Sequence, residues 1–176
     1  MMVILVPTDG SPAATKALDL AIDLAKLHRS KIKLLHVLLR DKEASDLVKI
    51  PAISADKVLL SALRECEARP AGSATENPYE LTYIPVQPAP KELLKAIGKQ
   101  LLDEARSHAA EESVEVEMME MVDGKPANAI VDAADAENVD TIVMGMRGLR
   151  QIEAIAIGSV SQEVSSRAAC TCVAVH

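Results

Sequence analysis

Five short apolar runs, separated by stripes of apolar residues at helical spacing, constrain this chain more than any other feature. The runs are Val3–Val6, Ile32–Leu38, the alternating Val114, Val116 and Met118, Ile142–Met144, and Cys172–Val175. Between them Ala14, Ala17, Leu18, Ala21 and Ala25 recur three or four apart. So do Leu94, Ile97, Leu101, Ala105 and Ala109, then Ala127, Ile130, Val131 and Ala134, and finally Val160, Val164 and Ala168. Short continuous apolar runs read as strands buried on both faces, and the wider spacing reads as helices with one apolar side. Strand and helix therefore alternate, which is the sequence form of an α/β fold with a parallel, doubly wound sheet. The 114–118 run has charged neighbours, as an outer strand should, although Met119 and Met121 disturb the alternation.

Local signals place the boundaries. Ser11 is a good N-cap and Pro12 suits the first position of a helix running to about His28. The 94–109 stripe predicts a helix from Lys91 to about Ala110. Asp123-Gly124-Lys125-Pro126 turns the chain, and Pro126 opens the next helix.

Composition narrows the function. Phe and Trp are absent, so Ala, Val, Ile, Leu and Met must build the core; Tyr79 and Tyr83 are the only aromatics. Base stacking on nucleic acid is disfavoured by that count. The net charge of −7 disfavours a general polyanion surface. An acidic chain that binds an anion must hold it locally. Met1–Val6 lacks a basic leader and runs into Pro7-Thr8-Asp9, so it reads as a strand, and no run is long enough to span a membrane. Three cysteines without framework spacing suggest reduced thiols in a cytoplasmic setting.

The chemistry concentrates in Thr141–Ser161, TIVMGMRGLRQIEAIAIGSVS. A buried strand ends at Gly145; Gly148 and Gly158-Ser159 follow, and a helix begins near Ser159. Glycines admit close backbone approach, and a helix start adds unpaired N–H donors and partial positive charge. Two readings are open: a phosphate cradle, or a plain connection whose glycines serve only its turns.

The spacing Gly145-x2-Gly148-x9-Gly158-Ser159 resembles the nucleotide loop of the universal stress protein family, in its ATP-binding branch. PTDGS at Pro7–Ser11 and LLHV at Leu34–Val37 are also similar to that family. The resemblance implies a single domain over 1–176 with strand order 3-2-1-4-5. It implies a three-layer, adenine nucleotide alpha hydrolase-like architecture, and a role as a nucleotide-dependent sensor or regulator in stress response. It further implies that Pro7, Thr8 and Asp9 border the adenine and ribose, with Val37 on the base. Met144, Gly145, Gly148, Gly158 and Val160 would line the ATP (or ADP or AMP), the glycines through backbone N–H groups; Ser159 and Ser161 would donate hydroxyls. Triphosphate binding suggests Mg²⁺ or Mn²⁺ held mainly by phosphates and water. With that strand order Cys172–Val175 lies at a sheet edge, and antiparallel pairing of two copies there gives a homodimer.

Side-chain alternatives stay open. Asp9 also suits an Asx-turn. Arg147 and Arg150 can pair with phosphate oxygens or stay solvated; Met146, Arg147 and Leu149 depart from the family's commoner residues around these glycines. A slow ATPase is the enzymatic rival, with Asp9 and Glu153 the nearby carboxylates, and a nucleotide-free interaction protein is the other. Residues 40–90 hold six of the nine prolines and form an insertion, read either as a lid or partner arm or as an insertion without such a role. A short helix is expected between about Ser54 and Ala68, and an extended segment at Leu81–Ile84.

Other chemistries lack their residues. There is no G-x-G-x-x-G after the first strand, and neither Gly98-Lys99 nor Gly124-Lys125 carries the Ser or Thr of a Walker loop. The SGG-type loop of the ATP-pyrophosphatases is missing too. His28, His36, His108 and His176 are scattered, with His36 read as a packed strand residue, and Cys170 and Cys172 read as incidental thiols. No Ser/His/Asp or Cys/His motif context supports nucleophilic catalysis.

Overall fold

The computed structural model describes residues 1–68, 89–149 and 158–176. Their strands are β1 (Val3–Pro7), β2 (Lys31–Leu35), β3 (Val116–Met118), β4 (Thr141–Gly145) and β5 (Thr171–Val175). They form one sheet of order β3-β2-β1-β4-β5, and every pairing is parallel. Strand number, direction and order all match the sequence-based expectation.

Helices α1 (Pro12–His28) and α5 (Lys91–Glu111) cover one face, and α6 (Pro126–Ala136) and α7 (Ser159–Arg167) cover the other. The strand pleat sorts the apolar runs between them. Ile4, Val6, Ile32, Leu34 and Val143 pack under α1 and α5. Leu5, Leu35, Ile142 and Met144 pack under α6 and α7. Because both faces are covered, these strands are apolar throughout instead of alternating.

Two boundaries moved. The second strand ends at Leu35, not Leu38, because its ladder partner β1 ends at Pro7; beyond it only a Val37–Val122 bridge continues. The third strand is confined to Val116–Met118. Val114 and Val116 pack on the α1 face but Met119 packs on the other and Met121 returns, so the alternation breaks where the methionines begin.

The described part of residues 40–90 holds α2 (Ala44–Leu47), α3 (Pro51–Ala55) and α4 (Lys57–Ala68). The expected helix starts at Lys57 because Asp56 caps it, its Oδ1 accepting from the amides of Val58 (2.8 Å) and Leu59 (3.0 Å). The two shorter helices were not expected. Leu38, Leu39, Leu47, Ile50, Ile53 and Leu63 join Leu94, Ile97 and Leu101 of α5 in a third apolar cluster. The extended segment expected at Leu81–Ile84 lies outside the described residues.

Candidate functional site

β1 and β4 are neighbours, yet the chain leaves β1 towards β2 and leaves β4 towards β5. Such a switch point opens a crevice beyond the strands' carboxyl ends, where open α/β sheets take their ligands. Two loops frame it here.

The first loop is tied from within. The Thr8 amide donates to the Leu35 carbonyl (2.9 Å), and Thr8 Oγ1 accepts from the Gly10 amide (3.3 Å). Asp9 Oδ1 accepts from the Ser11 amide at 3.0 Å, and Ser11 Oγ accepts from the Ala14 amide at 3.2 Å, capping α1. Asp9 thus makes the Asx-turn contact foreseen for it. Gly10 has φ +76°, a left-handed conformation that glycine adopts without strain.

The second loop has a closed stem. The Met146 amide donates to the Val175 carbonyl (2.6 Å), and the Gly158 amide donates to the Met146 carbonyl (2.8 Å). Ser161 Oγ lies 2.8 Å from the Met146 carbonyl oxygen and 2.9 Å from that of Gly158. The two ends of the excursion from 147 to 157 are therefore pinned together at the start of α7. Gly158 is the N-cap of α7 and, as a glycine, supplies no side-chain cap hydrogen bond of its own.

The loops meet at Asp9 and Gly148, where a Cβ on residue 148 would sit 2.7 Å from Asp9 Oδ2. In the residue before Gly148, Arg147 Nε is buried and has no hydrogen-bond partner among the described residues. A donor in that state costs about 1–3 kcal/mol until an acceptor arrives.

Not every residue singled out from the sequence faces this crevice with its side chain. Thr8, Asp9, Arg147 and Gly148 are half-buried on its two loops, and Pro7 ends β1 beneath them. Gly145 is needed for packing, since a Cβ there would lie 2.9 Å from the Ala13 carbonyl carbon in the first turn of α1. Val37, Met144 and Val160 direct their side chains into the α6–α7 core. Ser159 is exposed at the first turn of α7, and the Ser161 hydroxyl is engaged by the loop stem. Arg150 and Glu153 lie outside the described residues.

His36 is the packed residue expected, and it also ties the end of β2 to the first loop. Its ring is fully buried, and Nδ1 lies 2.9 Å from the Thr8 carbonyl oxygen. A carbonyl only accepts, so Nδ1 carries the proton and Nε2 keeps a lone pair with no partner among the described residues. Burial holds this imidazole below its ordinary pKa, against the opposing pull of the Thr8 hydrogen bond and the Asp9 charge. The ring occupies room left by Gly98 of α5, where a Cβ would stand 2.5 Å from His36 Cδ2. A lone glycine inside a strongly helical stripe was the available signal.

Among the described residues no group of three or more His, Cys, Asp or Glu side chains is gathered to hold a metal ion, and no helix is long and apolar enough to cross a membrane. Cys66, Cys170 and Cys172 are not disulfide-bonded.

A parallel 3-2-1-4-5 sheet between two helical layers, with the loops after strands 1 and 4 side by side at its switch point, defines the adenine nucleotide alpha hydrolase-like class of α/β proteins. Comparison narrows the class. The chain belongs to the universal stress protein family, whose sequence profile matches residues 1–176. It is 29% identical over 169 residues to the universal stress protein YxiE of Bacillus subtilis, covering 94% of this chain and 93% of that protein. It is 30% identical over 167 residues to the universal stress protein MJ0531 of Methanocaldococcus jannaschii, covering 95% and 77%. Among solved structures, it superposes on the universal stress protein from Archaeoglobus fulgidus in complex with dAMP with a TM-score of 0.61, at 22% identity, covering 100% of this chain and 98% of that one. A universal stress protein in complex with cAMP gives a TM-score of 0.57 at 22% identity, covering 99% and 96%.

Proposed function

We propose that this chain binds an adenine nucleotide, ATP foremost, in the crevice between the β1 and β4 loops, and that it acts as a nucleotide-dependent sensor or regulator in stress response. The observation that carries the reading is the pairing of a glycine cradle with a stranded donor. Gly148 lets the Asp9 carboxylate approach the β4 loop more closely than any side chain at 148 would allow, and the buried Nε of the preceding Arg147 lacks an acceptor among the described residues. A phosphate oxygen supplies that acceptor. The start of α7 at Gly158, whose N-cap residue carries no side chain, adds amide donors and the positive end of a helix dipole. The dAMP and cAMP held by the two solved relatives support an adenine nucleotide as the ligand class.

In this reading the backbone of Gly148 and Gly158 and the side chain of Arg147 face the phosphates. Pro7, Thr8, Asp9 and the backbone of Val37 face the nucleoside, and Gly145 sets the seat of α1. Asp9 Oδ2 points at Gly148, so a bare polyphosphate tail would meet a carboxylate. That repulsion favours ATP accompanied by Mg²⁺ or Mn²⁺, with the cation carried by phosphates and water.

The test is calorimetry with ATP and Mg²⁺. Saturable binding is expected for the natural chain and a loss of at least about tenfold for Gly148→Val, the usual scale for one lost charge-assisted contact or more. No saturable binding, or binding indifferent to Gly148→Val and Gly158→Val together, overturns the proposal. Phosphate release above a blank, abolished by Asp9→Asn, would move the chain to the slow-ATPase reading. Among the described residues β5 pairs with β4 alone, which supports a homodimer through Cys172–Val175; light scattering that shows a monomer at micromolar concentration removes that part.

A further inference from the structure

The insertion is built into both walls of the crevice. Ile50, at the start of α3, and Leu101 of α5 press on the first loop: a Cβ on Gly10 would lie 2.9 Å from Ile50 Cγ2 and 2.6 Å from Leu101 Cδ2. On the second loop Leu149, the residue after Gly148, packs half-buried against the same apolar cluster. One apolar body, made by α2, α3, α4 and α5, therefore backs the loops on either side of the Asp9–Gly148 contact. A leucine at a loop position beside an anion cradle serves no phosphate, but it does serve this packing.

The helices that share the cluster are poorly able to stand alone. α2 has four residues and α3 has five, far below the length at which a helix holds itself in water. Their order comes from burying Ala44, Leu47, Ile50, Ala52 and Ile53. Elements of this kind open at low free energy and respond to small changes at their contacts.

We propose that the α2–α4 layer is the readout of the crevice: a ligand that fixes the β4 loop also fixes Leu149, and through the shared cluster with Ile50 it tightens α2 and α3. The ligand's identity rests on the nucleotide reading above; the coupling does not. Coupling of this type is reciprocal, so whatever engages the outer side of α2–α4 and orders it raises affinity at the crevice by the same factor.

Hydrogen exchange on the full chain tests it in two arms. Without ligand, Leu149→Ala speeds exchange of the 44–56 amides by about fivefold or more, the low end of ordinary couplings, while β1 and β4 amides keep their rates. With ATP and Mg²⁺, the natural chain slows exchange at 44–56, and Leu149→Ala still binds by calorimetry but loses that slowing. Unchanged exchange at 44–56 in unliganded Leu149→Ala overturns the coupling. Nucleotide binding that protects only the two loops overturns it as well. If the natural chain binds no nucleotide, the functional reading fails alone, and the first arm still decides the coupling.

Discussion

Substituting Gly98 with Ala sets two effects of opposite sign against each other. In the middle of α5 alanine is the better helix former by about 1 kcal/mol. The added Cβ, however, lands 2.5 Å from His36 Cδ2 and 2.9 Å from His36 Nε2, well inside contact distance. The ring cannot swing away, because it is fully buried and its Nδ1 is held at the Thr8 carbonyl. Met121 Sδ, 2.7 Å from the same point, is the end of a flexible side chain and can move. Overpacking costs about 1–3 kcal/mol, and a weakened His36–Thr8 bond about 1 more. The clash wins, and Gly98→Ala destabilises by about 1–3 kcal/mol. In a His36→Ala background the obstruction is gone, and the same substitution stabilises by up to about 1 kcal/mol. Urea unfolding of the four proteins closes the cycle. The reasoning is refuted if Gly98→Ala stabilises the natural chain, or if its effect has the same sign in both backgrounds.

His36 also sets a pH dependence. Its folded pKa lies below 6.5, so the unfolded chain takes up a proton first as pH falls. The stability this residue contributes is present above about pH 6.5 and declines below it, by at most about 1.4 kcal/mol per pH unit, until the folded pKa is reached. His36→Asn keeps a donor for Thr8 but does not titrate, so the stability gap between the two proteins should be flat above about pH 6.5 and narrow or reverse below it; parallel curves would contradict the assignment. Gly10→Ala combines a left-handed φ, worth about 1–2 kcal/mol, with overlap on Leu101 and Ile50 worth about 1–3 more. The melting temperature should fall by about 5–15 °C, and calorimetry that finds less than about 2 °C would discount the close contact.

The sheet was legible because burial on both faces leaves an unbroken apolar run, a signal that survives without homologues. Ser11 and Pro12 announced α1 and were found capping and opening it. Boundaries that depend on a neighbour were not legible. β2 stops where β1 stops, a fact about register that the run Ile32–Leu38 does not contain. α2 and α3 are shorter than any window in which a helical period can be seen, and their order comes from the cluster they help to build. Within the site, glycine spacing marked the β4 loop, yet it could not separate Gly145, which seats α1, from Gly148, which faces Asp9. His36 and Leu149 act through partners distant in sequence, so nothing local in the chain announces them.

The seam between β1 and β4 carries a further consequence. It joins Val3 to Asp140 through the Val3 amide and Asp140 Oδ2, 137 residues apart, whereas β1 and β2 are linked by a single helix. Contacts of short span form early in a folding chain, and those of long span wait for the loop entropy to be overcome. The β1–β2 pair can be assembled while β4 is still unplaced, but the mouth between the two loops has only one rim until β4 joins. Whatever occupies that mouth therefore meets a chain whose last large rearrangement is already behind it.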